Sequence, residues 1–322
     1  SNMQTQTLNA RVLKKTQLSE RVVGLTLGLA DGGELPVWEP GAHIELVLGA
    51  SEPLYRQYSL CGTQADHQHW QIAVLKDEAS RGGSAYIHEV LQEGDVLPVS
   101  VPKNHFPFAA QKRCYFIAGG IGITPIIPMI EAAAAAGLDW QLLYLARSAA
   151  DFIFLQDLQQ HDAARVQVHA SDASGQSDLQ AALLALDAHT TVYSCGPQGL
   201  LDALEQYQVQ QQHVGWQLVL ERFAVAVDDS VLTGNAFTVT LHKSGKQIQV
   251  GHEETILAAL KREGIRVKCS CQNGTCGTCE TVVISGRPEH RDFVLSPEER
   301  ELNETMMVCV SRALSDEVVL DL

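Results

Sequence analysis

Three things are absent or scarce in this 322-residue chain, and each narrows what it can do. The first is an uninterrupted apolar run. The longest candidate, Ile117 to Leu138, contains four glycines, two prolines and Glu131, so it reads as a strand, a glycine turn and a helix rather than a membrane span. No membrane is expected among its partners. The second is an export signal. Met3 to Lys15, preceded by Ser1-Asn2, has no apolar core of the kind a secretory leader needs, and a cytoplasmic protein is expected. The third is positive charge: 23 Lys and Arg face 38 Asp and Glu, a formal charge of −15. Phosphate backbones are bound by clustered Lys and Arg, so no nucleic acid is expected as a partner. From Asp229 onward there are 14 acidic and 10 basic residues, and 24 and 13 before it. That acidity makes a solvated surface or steers a basic partner.

What is present is an ordinary globular composition, 45% apolar and 19% charged, on a chain too long for one core. Residues 3–110 read as β-rich, with alternation in His43-Ile44-Glu45-Leu46-Val47-Leu48 and Gln71-Ile72-Ala73-Val74, which predicts a closed antiparallel barrel. Pro102 to Ala110 reads as a loop leaving it. Over residues 111–227 strands alternate with helices, among them Tyr115–Ala118, helical Ile126–Ala136, Trp140–Leu145, Thr191–Ser194 and helical Leu200–Tyr207. This rhythm predicts a parallel α/β sheet covered on both faces. Phe223 to Asn235 reads as a linker. Residues 235–322 open with a hairpin, Phe237–Leu241 and Gln247–Val250 around Ser244-Gly245. A helix from about Glu254 to Glu263 follows, ending at Gly264, and Ser296-Pro297-Glu298-Glu299 is a capping box with Pro at the first helical position.

Four of the eight cysteines carry the strongest chemical signal. Cys271-x4-Cys276-x2-Cys279 with a distant Cys309 is the spacing of a plant-type [2Fe–2S] cluster. Four thiolates must converge on two irons, so three come from one wrapped loop and the fourth from another segment. Gly274 and Gly277 let the backbone close around it, with N–H groups aimed at sulfur. The alternative is zinc, which favours paired Cys-x2-Cys knuckles. Cys269 reads as a small buried side chain beside the loop.

Two further patterns point to a nucleotide. Ala118-Gly119-Gly120-Ile121-Gly122-Ile123-Thr124-Pro125 follows a strand and opens a helix, where glycines admit a pyrophosphate and the helix N-terminus favours its charge. It departs from G-x-G-x-x-G, since Pro125 stands at the third glycine. Cys195-Gly196-Pro197 ends a strand of the same sheet, so both loops are expected to flank one crevice. In the barrel region, Arg56-Gln57-Tyr58-Ser59-Leu60 and Arg81-Gly82-Gly83-Ser84 offer a cation and backbone N–H groups for a phosphate, and an apolar wall with hydroxyls for a flat ring.

This ordered set, with Glu221-Arg222-Phe223 between C-G-P and the cysteine loop, resembles the phthalate dioxygenase reductase family from Leu8 to Leu322, and looks like its vanillate O-demethylase and carnitine monooxygenase reductase forms. The resemblance implies a flavin barrel, a nucleotide domain and a C-terminal β-grasp ferredoxin. It implies FMN held by Arg56, Gln57, Tyr58, Ser59, Ala73, Val74, Arg81, Gly82, Gly83, Ser84 and Phe223. It also implies a nicotinamide nucleotide met by Gly120, Gly122, Thr124, Pro125, Cys195, Gly196 and Pro197, with Ser59 and Cys195 shaping hydride transfer. NADH would be the donor, although Arg147-Ser148 leaves NADPH open. A Rieske-type oxygenase component would be the acceptor; another acceptor protein, or a redox sensor without turnover, are the alternatives.

Overall fold

The computed structural model of the chain describes residues 7–49, 53–76, 82–109, 112–175, 177–210, 215–223, 236–251, 254–269, 274, 277–292 and 294–322. Arg81, Cys271, Cys276 and residues 224–235 of the expected linker lie outside these. Strands β1 (Thr7–Gln17), β2 (Val22–Leu29), β3 (His43–Leu48), β4 (Leu54–Ser59), β5 (Trp70–Leu75) and β6 (Val96–Ser100) pair antiparallel in the order β4-β3-β6-β1-β2-β5. The outermost two, β4 and β5, lie against each other, so the sheet curls into a near-closed barrel. Alternate residues point inward: Val23, Leu25 and Leu27 of β2, Ile44, Leu46 and Leu48 of β3, and Ile72 and Val74 of β5 share one core. Helix α1 (Gly83–Glu89) follows β5 and packs on β4 and β5.

The segment leaving the barrel is bonded at both ends. Lys103 bridges to His43 of β3, and Asn104 donates to the Pro40 carbonyl (3.0 Å) while accepting from the Phe106 N–H (2.8 Å). Phe106 and Phe108 pack around Tyr193, with ring centroids 6.1 and 5.1 Å away. The Tyr193 hydroxyl accepts from the Ala109 N–H (3.2 Å) and donates to its carbonyl (3.1 Å).

The middle region is β7 (Arg113–Gly119), α2 (Ile123–Ala135), β8 (Asp139–Ala146), α3 (Leu155–Asp162), β9 (Val166–Ala170), α4 (Ser171–Ser174), α5 (Leu179–Leu184), β10 (Thr190–Gly196), α6 (Gln198–Gln210) and β11 (Gln217–Arg222). Its strands are parallel in the order β11-β10-β7-β8-β9. Period-two alternation fills both faces: Phe116, Ala118, Tyr144 and Cys195 pack with α2 on one side, and Ile117, Leu143 and Val192 pack with Leu201 and Leu204 of α6 on the other. Helix α2 starts three residues earlier than expected, at Ile123. Pro125 falls in its first turn, where an N–H would lack a partner anyway, so it permits the early start. Pro128 lies further inside, and burial of Ile126, Met129, Ile130 and Ala133 holds the helix across the bond it lacks.

The third region has β12 (Phe237–Leu241), β13 (Gln247–Val250), α7 (Ile256–Arg262), β14 (Glu280–Ser285), β15 (Pro288–Glu289), α8 (Pro297–Leu302), β16 (Thr305–Met307), β17 (Arg312–Ala313) and β18 (Glu317–Leu320). The five-stranded order β13-β12-β18-β14-β16, with β12 and β18 parallel, is the β-grasp arrangement that the resemblance implies. Thr255 caps α7 by accepting from the Ala258 N–H (3.0 Å), so the helix begins two residues later than expected; the Glu254 carboxylate is engaged by Arg262 instead. The capping box is present in both directions: Ser296 Oγ accepts from the Glu299 N–H (3.1 Å), and Glu299 Oε1 from the Ser296 N–H (3.0 Å). Among the described residues no helix is long and apolar enough to cross a membrane.

Candidate active site

Strand β4 carries Arg56, Gln57, Tyr58 and Ser59 in one register, opposite Leu46, Glu45, Ile44 and His43 of β3. The Arg56 guanidinium donates to the Tyr55 carbonyl (2.8 Å) and lies across Gly83; a Cβ there would sit 2.5 Å from Arg56 Nε. A side chain at Gly83 would displace the Arg56 side chain, and Gly82 before it takes φ +91°, a left-handed turn that favours glycine. Gly83 and Ser84 are buried. Burial pushes the Arg56 guanidinium down and the Tyr58 phenol up. Ser59 is 4% exposed and its Oγ has no hydrogen-bond partner among the described residues. A buried hydroxyl without a partner is costly, and a polar ring edge arriving there would satisfy it.

Residues Ala73 and Val74 part company. Val74 points into the barrel core, and its carbonyl accepts from His88 Nε2 (2.7 Å). Ala73 faces the other way, into a cluster that also holds Cys195, Ala118 and the partly buried Phe223. Barrel and sheet thus meet around Ala73.

The two glycine-bearing loops touch at the carboxyl ends of β7 and β10. A Cβ on Gly122 would come 2.1 Å from the Cys195 carbonyl oxygen, and one on Gly196 3.0 Å from Gly119 Cα. Gly122, Thr124, Pro125, Cys195 and Gly196 are all buried in this contact. Thr124 donates its hydroxyl to the Ile121 carbonyl (3.0 Å), inside the turn that starts α2. A cavity of about 580 Å³ opens beside them, lined by Gly119, Gly120, Ile121, Pro197 and Leu200, and by Ser19, Val22 and Leu75 from the barrel. The structure thus brings Gly120 and Pro197 to the cavity wall and sets Gly122, Thr124, Pro125, Cys195 and Gly196 behind it.

Sequence reasoning named no role for Asp151, His169 or Glu221, and raised Arg147-Ser148 only as the feature that leaves NADPH open. Arg147, Asp151 and His169 line the far end of the cavity, with Ser148 Oγ donating to Asp151 (2.8 Å). Glu221 pairs in register with Cys195 across β11 and β10. Its Oε2 is buried without a hydrogen-bond partner among the described residues, and burial pushes its pKa up to about 8. Burial first, and Glu221 second, push the Cys195 thiol well above its ordinary value. The available signal was the motif Glu221-Arg222-Phe223, whose strand does not show in a segment ending in two charges.

In the third region Cys279 and Cys309 are both buried, and their Sγ atoms lie 3.1 Å apart. Two thiols that close can bind one metal ion. Gly274 at φ +83° and Gly277 at φ +74° make the left-handed turns expected of a wrapped loop; a Cβ on Gly274 would strike Val310 at 2.8 Å. With Cys271 and Cys276 outside the described residues, no group of three metal-binding side chains is found among those described. The paired thiols and tight glycines fit an iron–sulfur centre.

Comparison with known proteins agrees with this layout. Residues 239–314 match the family of 2Fe-2S iron-sulfur cluster binding domains. The chain is 36% identical over 321 residues to the carnitine monooxygenase reductase subunit of Escherichia coli (strain K12), covering 98% of this chain and 99% of the relative. It is 40% identical over 309 residues to a vanillate O-demethylase oxidoreductase of Pseudomonas sp. (strain HR199 / DSM 7063), covering 95% and 96%. Among solved structures, phthalate dioxygenase reductase, described as modular for electron transfer from pyridine nucleotides to [2Fe-2S], superposes with a TM-score of 0.84 at 32% identity over 98% of both chains.

Proposed function

The chain belongs to the phthalate dioxygenase reductase family, the reductase subunits of oxygenase systems, and from that premise we propose a route for its electrons. They enter as a hydride from NADH, pass through FMN in the barrel and the [2Fe–2S] cluster of the C-terminal domain, and leave to a Rieske-type oxygenase in the cytoplasm. The domains are 3–110, 111–227 and 235–322. The observation that carries the reading is the shared wall at Ala73, where the strand next to the Arg56–Ser59 strand packs with Cys195 and Phe223 beside the cavity.

FMN held there would supply a group able to take up both electrons of a hydride and give them up singly, as a one-electron cluster requires. The chain's own residues do the rest. Arg56, Arg81 and the N–H groups of residues 82–84 hold the phosphate, with Arg56 fixed by the Tyr55 carbonyl. Ser59, with Gln57 and Tyr58 beside it on the strand, would offer its buried hydroxyl to the ring, and Phe223 would lie near it. Gly119 and Gly120 let a pyrophosphate reach the backbone at the start of α2. Gly122, Thr124, Pro125, Cys195 and Gly196 set the position of that wall from behind. Glu221, protonated near neutral pH, keeps the junction free of a buried negative charge. Cys271, Cys276, Cys279 and Cys309 ligate the cluster.

The test is anaerobic titration with NADH while the visible spectrum is recorded. Flavin bands and a broad iron–sulfur envelope should bleach together, and acid should release FMN. A spectrum without flavin, or one indifferent to NADH, defeats the proposal. Because Arg147 lines the cavity, the same titration with NADPH tests the donor.

A further inference from the structure

One contact bridges the barrel and the third region. Lys261, in the last turn of α7, places its Nζ 5.4 Å from the centre of the Tyr55 ring on β4. Its neighbours direct their charges inward: Arg262 binds Glu254 (3.0 and 3.1 Å) and Glu263 (2.9 Å), and Lys246 binds Glu263 (3.1 Å). Lys261 makes no ion pair among the described residues and reaches across instead. A cation over an aromatic face is attracted by the ring quadrupole, the more so where water is excluded.

Both partners are tied to the electron route. The Tyr55 carbonyl holds the Arg56 guanidinium, so the residue that receives Lys261 also fixes the cation at the phosphate end of the barrel site. Beside this contact, Cys269 is 3% exposed, two residues before Cys271 in the chain. Tyr55 belongs to the barrel and Lys261 to the third region, so their contact marks the seam between the two.

We infer that Lys261 on Tyr55 is the contact that seats the cluster domain on the flavin barrel, and that this seating sets the rate of the flavin-to-cluster electron step. The inference rests on the function proposed above. Over two such steps the flavin, reduced by one hydride, would give up two electrons singly and its one added proton to water; each electron would make one ferric iron ferrous, and the acceptor protein would reoxidise the cluster in between. Lys261 and Tyr55 are positioning residues that touch neither reacting group.

Stopped-flow reduction of the holoprotein by excess NADH separates flavin reduction from cluster reduction. Lys261→Glu, an exposed substitution that replaces attraction by repulsion, should leave the first phase unchanged and slow the second about tenfold. Lys261→Arg keeps a cation for the ring and should restore it. Small-angle scattering should show a larger radius of gyration for Lys261→Glu alone, with the cluster's EPR spectrum and midpoint potential unaltered. An unchanged second phase, an arginine variant as slow as the glutamate one, or a potential shift large enough to explain the rate would overturn the inference. A parent protein that NADH does not bleach would instead defeat the underlying function.

Discussion

Two buried oxygens without partners among the described residues, Ser59 Oγ and Glu221 Oε2, lie on either side of the junction between barrel and sheet. Removing such a hydroxyl should cost the empty protein little. Ser59→Ala is expected to leave its melting temperature unchanged or slightly higher, while weakening flavin affinity about tenfold, the worth of one hydrogen bond to a polar ring atom; equal flavin affinity would remove Ser59 from the site. Glu221 makes a pH prediction. Its folded pKa of about 8 lies above its ordinary 4.5, so the folded chain holds the proton more tightly. That stabilisation is complete below about pH 4.5 and is lost as pH rises through 8. Glu221→Gln lacks this dependence, so melts between pH 6 and 9 should show the variant gaining on the parent, by about 2 kcal/mol at the alkaline end. A constant difference would mean that the carboxyl ionises freely in the fold. Cys195→Ala should slow flavin reduction by roughly tenfold or more with flavin still bound, because Cys195 sets the wall behind the crevice. The sequence announces its cysteine loop by spacing alone. It is silent on Glu221, because partnerless burial is a property of three dimensions.

At the scale of the element, the junction depends on close backbone approach. A methyl group on Gly122 would lie 2.1 Å from the Cys195 carbonyl, where backbone cannot yield as a side chain would. Gly122→Ala should destabilise the protein by more than about 2 kcal/mol in denaturant unfolding, and a loss under 0.5 kcal/mol would show that the loops separate freely. The hairpin at Ser244-Gly245 and the capping box at Ser296 were fully legible, since both are written in local residue preferences. The start of α2 was not. Proline signals a break unless the first turn already contains it, and that depends on where the glycine turn ends. Strand β11 was equally hidden, its outline blurred by Glu221 and Arg222 at its end.

Across the whole molecule, the barrel, the two faces of the parallel sheet and the β-grasp region each have their own buried cluster. A chain ended at residue 235 should therefore still fold, bind flavin and reduce ferricyanide with NADH. It should lose cytochrome c reduction almost entirely, and aggregation of that fragment would show that the third region is needed by the other two. The order of domains was legible because each has its own periodicity, whereas the seam at Tyr55 and Lys261 left no pattern in either segment. The joint between barrel and sheet is different in kind. Asn104, Phe106, Phe108 and the doubly bonded Tyr193 hydroxyl weld the connecting segment to both sides. A mouth whose jaws are fused cannot chew. Coenzyme is then expected to enter and leave by local side-chain movement rather than by a hinge between barrel and sheet.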